Sequence, residues 1–159
     1  MSTIKNKFSK KDKKYMSLAL SLASERHGLT GENPSVGCVI VKNDEIISIG
    51  QTGYKGRPHA EYNAINNSNE ILEGSTMYVT LEPCNHYGQT PPCTKEIIKN
   101  RISKIIYSVE DVDKKVKGKS FKILKSKNLI VKKGLLNKEI INFYKPYFFN
   151  RKNKMPYVT

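Results

Sequence analysis

Four side chains in this sequence have the chemistry of a hydrolytic metal site. His59 and Glu61 stand in Pro58-His59-Ala60-Glu61, Cys84 follows Pro83, and Cys93 follows Pro91-Pro92. Imidazole nitrogen and thiolate sulfur are good zinc donors, and two thiolates neutralise the ion. Three protein ligands leave a fourth tetrahedral position for water, the pattern of a catalytic rather than a structural zinc site. Water in that position ionises near neutral pH. Glu61, two residues past the imidazole, is expected to point into the pocket instead of at the metal, where a carboxylate can take the water's proton and pass it to a leaving amine. The chemistry is that of an aminohydrolase with one zinc per chain, in which a His-x-Glu pair precedes a Pro-Cys and the Glu is not a ligand.

The intervening sequence must bring these residues together. Ser9 and Asp12 have capping-box spacing, and Tyr15, Leu18, Ala19, Leu22 and Ala23 recur at helical spacing before Gly28 offers a stop. Residues 36–42 and 45–51 are β-branched runs separated by Asn43-Asp44, which reads as a hairpin. A short helix over 59–67 and a strand over 76–81 follow. Thr90-Pro91-Pro92 opens a helix with Cys93 in its first turn. Beyond it the pattern predicts a strand at 102–108, a helix at 120–126 and a strand at 129–132. A final amphipathic helix over 138–149 should bend at Pro146. Alternating strands and helices predict an α/β layered domain, a sheet opened by a hairpin and continued by parallel crossovers with helices on both faces. In such a domain strand C-termini and helix N-termini share one edge, so the histidine and both cysteines can meet there.

At 159 residues the chain is expected to be one domain. Three cysteines make no disulfide framework, and Cys38 within an apolar strand reads as buried packing. No apolar stretch approaches the roughly 20 residues a bilayer span needs. The lysine-rich start followed by residues 16–23 has the outline of a secretory signal, but Ser17 and Ser21 break its apolar part and the helical spacing explains it better. A reducing, cytoplasmic protein is expected. The net charge is +14, which attracts polyanions. Of its 28 cations, however, 24 are lysine and only 4 arginine, dispersed rather than patched, and arginine is the residue that reads phosphate and base edges bidentately.

Eight residues separate Cys84 from Cys93, where the common deaminase pattern has two. With that spacing, 33–42 (NPSVGCVIVK), 56–61 (GRPHAE) and 78–88 (YVTLEPCNHYG) make the chain closely resemble the deaminase domain of the bacterial riboflavin-biosynthesis deaminase/reductase family, from about Tyr15 to Thr159. The resemblance implies a three-layer α/β/α cytidine-deaminase-like fold around a mixed sheet of about five strands. It implies a zinc-dependent removal of the 2-amino group from 2,5-diamino-6-(5-phosphoribosylamino)pyrimidin-4(3H)-one, giving 5-amino-6-(5-phosphoribosylamino)uracil and ammonia. By the same resemblance His59, Cys84 and Cys93 match the zinc ligands and Glu61 the proton shuttle. Asn33 matches a substrate contact, and His86 and Asp111 match positions that hold the phosphoribosyl part. On residues alone Asn33 and Asp111 also suit turns, and His86 suits loop packing or an alternative ligand.

Three positions depart from the family pattern: Thr52 stands for a histidine, Gln89 for a lysine or arginine, and Asp111-Val112-Asp113 for Asp-Pro-Asn. The missing cation could be replaced by Lys55, Arg57, Lys114 or Lys119. The expected organisation is a basic arm at 1–14, the deaminase domain at 15–150, and a segment at 151–159 resembling the lead into a reductase domain. That reductase is a possible covalent or separate partner, and a homo-oligomer is expected. Tyr144, Tyr147, Phe148 and Phe149 read as core or subunit packing. Two other functions compete: a tRNA base deaminase, which the charge would suit and the cysteine spacing opposes, and an inactive binding module, which the complete ligand set opposes.

Overall fold

The structure, a computed structural model, describes residues 8–114 and 116–154. The first helix, α1 (Lys10–Glu25), starts at the predicted capping box, with Ser9 N–H donating to Asp12 Oδ2 at 2.9 Å and Asp12 N–H to Ser9 Oγ at 3.0 Å. These bonds satisfy amide donors that have no partner within the helix. The helix therefore takes in Lys10, Lys11, Lys13 and Lys14, which the sequence reading assigns to the arm. The rest of that arm, residues 1–7, lies outside the described residues.

Strands β1 (Gly37–Lys42) and β2 (Glu45–Gln51) form the expected hairpin. Asn43 and Asp44 both have positive φ, 52° and 62°, the backbone of a tight turn matched to strand twist. The chain continues through α2 (Ala60–Asn67), β3 (Thr76–Leu81), α3 (Cys93–Lys99), β4 (Lys104–Val109), α4 (Lys119–Ser126), β5 (Ile130–Lys133) and α5 (Asn137–Asn153). The sheet order is β2-β1-β3-β4-β5, with β1 antiparallel to both neighbours and β3, β4 and β5 parallel. It is thus a mixed five-stranded sheet.

Helices α1 and α5 cover one face, and α2, α3 and α4 the other. The central strands β1, β3 and β4 are buried almost throughout, as strands covered on both sides must be. Close approach is built into the hairpin. A Cβ on Gly37 would lie 1.7 Å from the Ala19 carbonyl of α1, and one on Gly50 would lie 2.3 Å from the Ala60 carbonyl of α2. Both helices therefore rest their backbones directly on the sheet.

Helix α5 passes through Pro146 and ends at Asn153, so Arg151 belongs to it rather than to a separate C-terminal segment. Arg151 and Lys152 in its last turn complement the helix dipole. Its buried Tyr144 shares a 2.7 Å hydrogen bond with Thr80 Oγ1 of β3, whose oxygen also accepts from Gly37 N–H. Among the described residues no helix is long and apolar enough to cross a membrane.

Candidate active site

The sheet edge where β3 ends and α2 and α3 begin carries the metal-ligating side chains. His59 occupies the N-cap position of α2 in an extended backbone (φ −66°, ψ 157°) and makes no side-chain cap bond, so its imidazole is directed elsewhere. Cys84 follows β3 after Glu82-Pro83, and Glu82 N–H pairs with the Val109 carbonyl to fix the strand end. Cys93 is the first residue of α3, behind Pro92, whose fixed φ and missing N–H suit a helix start. The backbone ties the two cysteines: Cys93 N–H donates to Cys84 Sγ at 3.2 Å and Thr94 N–H to the Cys84 carbonyl at 3.1 Å.

His59 Nδ1 lies 3.6 Å from Cys84 Sγ and 3.5 Å from Cys93 Sγ, and one donor atom from each of the three falls within 4.8 Å of the others. With zinc–sulfur bonds of about 2.3 Å and zinc–nitrogen bonds of about 2.0–2.1 Å, a tetrahedral ion sets nitrogen and sulfur about 3.5–3.6 Å apart. The donor set fits that ion in type, number and spacing. The Cys84 thiol is pulled down to about 4 by hydrogen bonding with Cys93, against its burial, with His59 adding to the effect. Cys93 is raised by the same bond to Cys84 and by burial. A bound dication would hold both as thiolates.

Glu61, in the first turn of α2, is 4% exposed and faces the same pocket. Burial pushes its carboxyl above the ordinary value, against the opposing charge of His59. Apolar walls come from Pro34, Val36, Leu81 and Val116. All three candidate substrate contacts line this pocket as well. Asn33 Nδ2 donates to the Gly56 carbonyl at 3.0 Å, and Gly56 (φ 96°) has no room for a Cβ beneath that amide. Its amide carbonyl is then the group it can offer a ligand. His86 is exposed on the loop between the two cysteines. Asp111 is buried, and its Oδ1 accepts from Asp113 N–H at 3.0 Å.

Of the three departures from the family pattern, Thr52 and Asp113 line the pocket, whereas Gln89 lines a neighbouring depression with Lys55 and Arg57. Thr52 does structural work: its Oγ1 accepts from Val36 N–H at 2.9 Å and lies 3.3 Å from the Pro34 carbonyl, fixing the segment that carries Asn33. Cys38 is fully buried, as expected for packing.

The sequence reading missed two residues of α5. Tyr147, expected in core or subunit packing, lines the pocket, and so does Arg151, assigned to the C-terminal segment. The Arg151 guanidinium stands 5.4 Å from the centre of the Tyr147 ring. Nothing local separates Tyr147 from its buried neighbour Tyr144. The scarcity of arginine was the one available signal, since two of only four, Arg57 and Arg151, reach the pocket.

This geometry defines a class of protein. Residues 9–109 match the cytidine and deoxycytidylate deaminase zinc-binding region, and the chain belongs to that family. Its fold is accordingly cytidine-deaminase-like, and His59, Cys84 and Cys93 are the residues that can hold the zinc. More particularly, it is 43% identical over 146 residues to the diaminohydroxyphosphoribosylamino-pyrimidine deaminase of Buchnera aphidicola subsp. Schizaphis graminum, covering 92% of this chain and 99% of that protein. It is 40% identical over 148 residues to riboflavin biosynthesis protein RibD of Aquifex aeolicus, covering 93% of this chain but 42% of that one. The chain thus spans less than half of that relative. A solved deaminase/5-amino-6-(5-phosphoribosylamino)uracil reductase from Thermotoga maritima superposes with a TM-score of 0.85 at 34% identity, over 92% of this chain and 43% of the other.

Proposed function

We propose that the chain catalyses hydrolytic deamination of 2,5-diamino-6-(5-phosphoribosylamino)pyrimidin-4(3H)-one to 5-amino-6-(5-phosphoribosylamino)uracil and ammonia, a step of riboflavin biosynthesis. The observation that carries this reading is the convergence of His59, Cys84 and Cys93 beside the buried Glu61 in one pocket. The names of relatives that share nearly the whole of this chain supply the substrate.

His59, Cys84 and Cys93 would hold the zinc, which when bound supplies the Lewis acidity that makes water a nucleophile near neutral pH. Glu61 takes a proton from the attacking water and delivers it to the departing amino nitrogen. Water adds across the ring carbon–nitrogen double bond of the amidine, one of its protons ending on the ring nitrogen and the other, carried by Glu61, on the amino group. The exocyclic carbon–nitrogen bond breaks, the carbonyl forms and ammonia leaves. Asn33 orients the pyrimidine by accepting from one of its N–H groups. His86 and Asp111 hold the phosphoribosyl part, Asp111 as an acceptor for ribose hydroxyls. Pro34, Val36 and Leu81 limit water around the ring. The larger relatives named as deaminase/reductase make a reductase the expected consumer of the product.

The test is ammonia release by the zinc-loaded protein from this diaminopyrimidine and, in parallel, from tRNA. Turnover of the diaminopyrimidine is expected. Turnover of tRNA alone would give preference to the nucleic-acid reading that the +14 charge favours.

A further inference from the structure

Two arginines reach the pocket, and their surroundings differ. Arg151 stands beside the Tyr147 ring, in the field of that phenol and of Asp113 and Asp111, without an ion pair to a carboxylate among the described residues. Arg57 is set otherwise. Its Nη1 donates to Thr90 Oγ1 at 3.2 Å, and like Arg151 it forms no ion pair with a carboxylate among the described residues. Its Nη2 lies against Gly88, where an added Cβ would come within 3.0 Å. The guanidinium is thus held by two of its nitrogens against the loop between the two cysteines, at a position lining both the pocket and the adjoining depression.

The other candidate cations lie elsewhere. Lys55 lines only the neighbouring depression, and Lys114 lines a separate one with Arg151 and Phe149. Lys119 lines neither the pocket nor these depressions. Gln89 stands next to Arg57 and carries no charge. A phosphate monoester entering this mouth meets carboxylates at Asp111 and Asp113 in the pocket and at Glu32 in the depression, while the guanidinium of Arg57 lines both. Coulomb repulsion turns it from the carboxylates, and the planar donor fork of arginine suits its oxygens.

We infer that Arg57, braced by Thr90 and Gly88, is the specificity-determining cation that grips the phosphate of the substrate, supplying from the segment before α2 the charge that Gln89 lacks. This rests on the deaminase reading for the identity of the substrate, and on the pocket alone for the phosphate. Thr90, whose hydroxyl accepts from Arg57, has its own proton to offer a phosphate oxygen.

The experiment compares zinc-loaded wild type, Arg57→Met, Arg57→Lys, Lys55→Met and Lys114→Met on the phosphorylated diaminopyrimidine and on its dephosphorylated riboside. Arg57→Met is expected to raise KM for the phosphorylated compound about 10- to 100-fold with little change in kcat, the size of a lost charged hydrogen bond. KM for the riboside should not move, Arg57→Lys should recover part of the loss, and the two lysine variants should match wild type. An equal rise in KM for both compounds, or the larger effect at Lys55 or Lys114, overturns the assignment. Calorimetric titration of the same zinc-loaded proteins with ribose 5-phosphate separates this inference from the reaction. Arg57-dependent binding without turnover of either compound would retain the phosphate grip and reject the deaminase reading, whereas turnover with binding unaffected by Arg57→Met would do the reverse.

Discussion

The phenol of Tyr144 donates a 2.7 Å hydrogen bond to the carbonyl of Ser35, 109 residues away in the chain. Since that bond uses its only proton, Thr80 must be the donor in the 2.7 Å bond between the two hydroxyls. Helix α5 is thereby fastened at once to β3 and to the segment that presents Asn33 and Pro34 to the pocket.

Tyr144→Phe keeps the ring and removes that junction, leaving the Ser35 carbonyl buried without this partner. A loss of about 1–3 kcal/mol in unfolding free energy is expected. Urea denaturation would read it, while zinc content should match wild type, since the ligands stand beyond the end of β3 and at the starts of α2 and α3. An unchanged denaturation midpoint would show that the network contributes nothing net.

Glu61 and Cys93 should separate catalysis from metal binding. Glu61→Gln is expected to lower kcat by about 10²- to 10⁴-fold, the usual share of a positioned acid/base, with zinc still bound stoichiometrically. Cys93→Ser should instead lose zinc, because a hydroxyl is a poorer zinc donor than thiolate at neutral pH. Metal analysis beside a rate measurement distinguishes the two. Full zinc in Cys93→Ser with a normal rate would remove Cys93 from the site.

Gly50 couples the hairpin to catalysis. Its missing Cβ lets α2 lie with Ala60 O and Ala64 N only 2.3 and 2.4 Å from where that atom would stand. Gly50→Ala must push α2 outward, and His59 and Glu61 are at that helix's N-terminus. Overpacking of this kind typically costs about 1–3 kcal/mol. Here a weakened zinc affinity is expected in addition, measurable by competition with a chelator. Wild-type affinity together with wild-type stability would contradict the close backbone contact.

Asp12 gives a pH dependence outside the site. Burial acts to raise its carboxyl, but hydrogen bonds from Tyr78 (2.6 Å) and Ser9 and the charge of Lys104 outweigh it, so the group titrates below its ordinary 3.8. A carboxylate lowered on folding contributes stability that is present above the unfolded value and fades as pH falls through the folded one. Asp12→Asn should therefore be less stable than wild type at pH 7, by on the order of 1 kcal/mol for a cap and its bond. The gap should close below about pH 3.8. The same gap at pH 7 and pH 3 would assign it to packing instead of charge.

The sequence by itself determined what is local in cause. The capping box at Ser9 and Asp12, the Asn43-Asp44 turn and Pro92 ahead of Cys93 each act within a few residues, and the elements formed where these signals stand. His59, Cys84 and Cys93 were legible because few residue types can hold zinc, and their spacing placed all three at strand or helix ends; Glu61, expected beside them, lines the same pocket. Tertiary structure alone decided which side chains complete the pocket. Lys55, Arg57, Lys114 and Lys119 are equivalent as letters, yet only Arg57 lines it. Tyr144 and Tyr147 lie three residues apart on one helix, one tied into the core and the other facing the pocket, because the angle at which α5 meets the sheet assigns each its neighbour. That angle depends on bonds such as Tyr144 to Ser35, which join distant parts of the chain and leave no periodic trace in it.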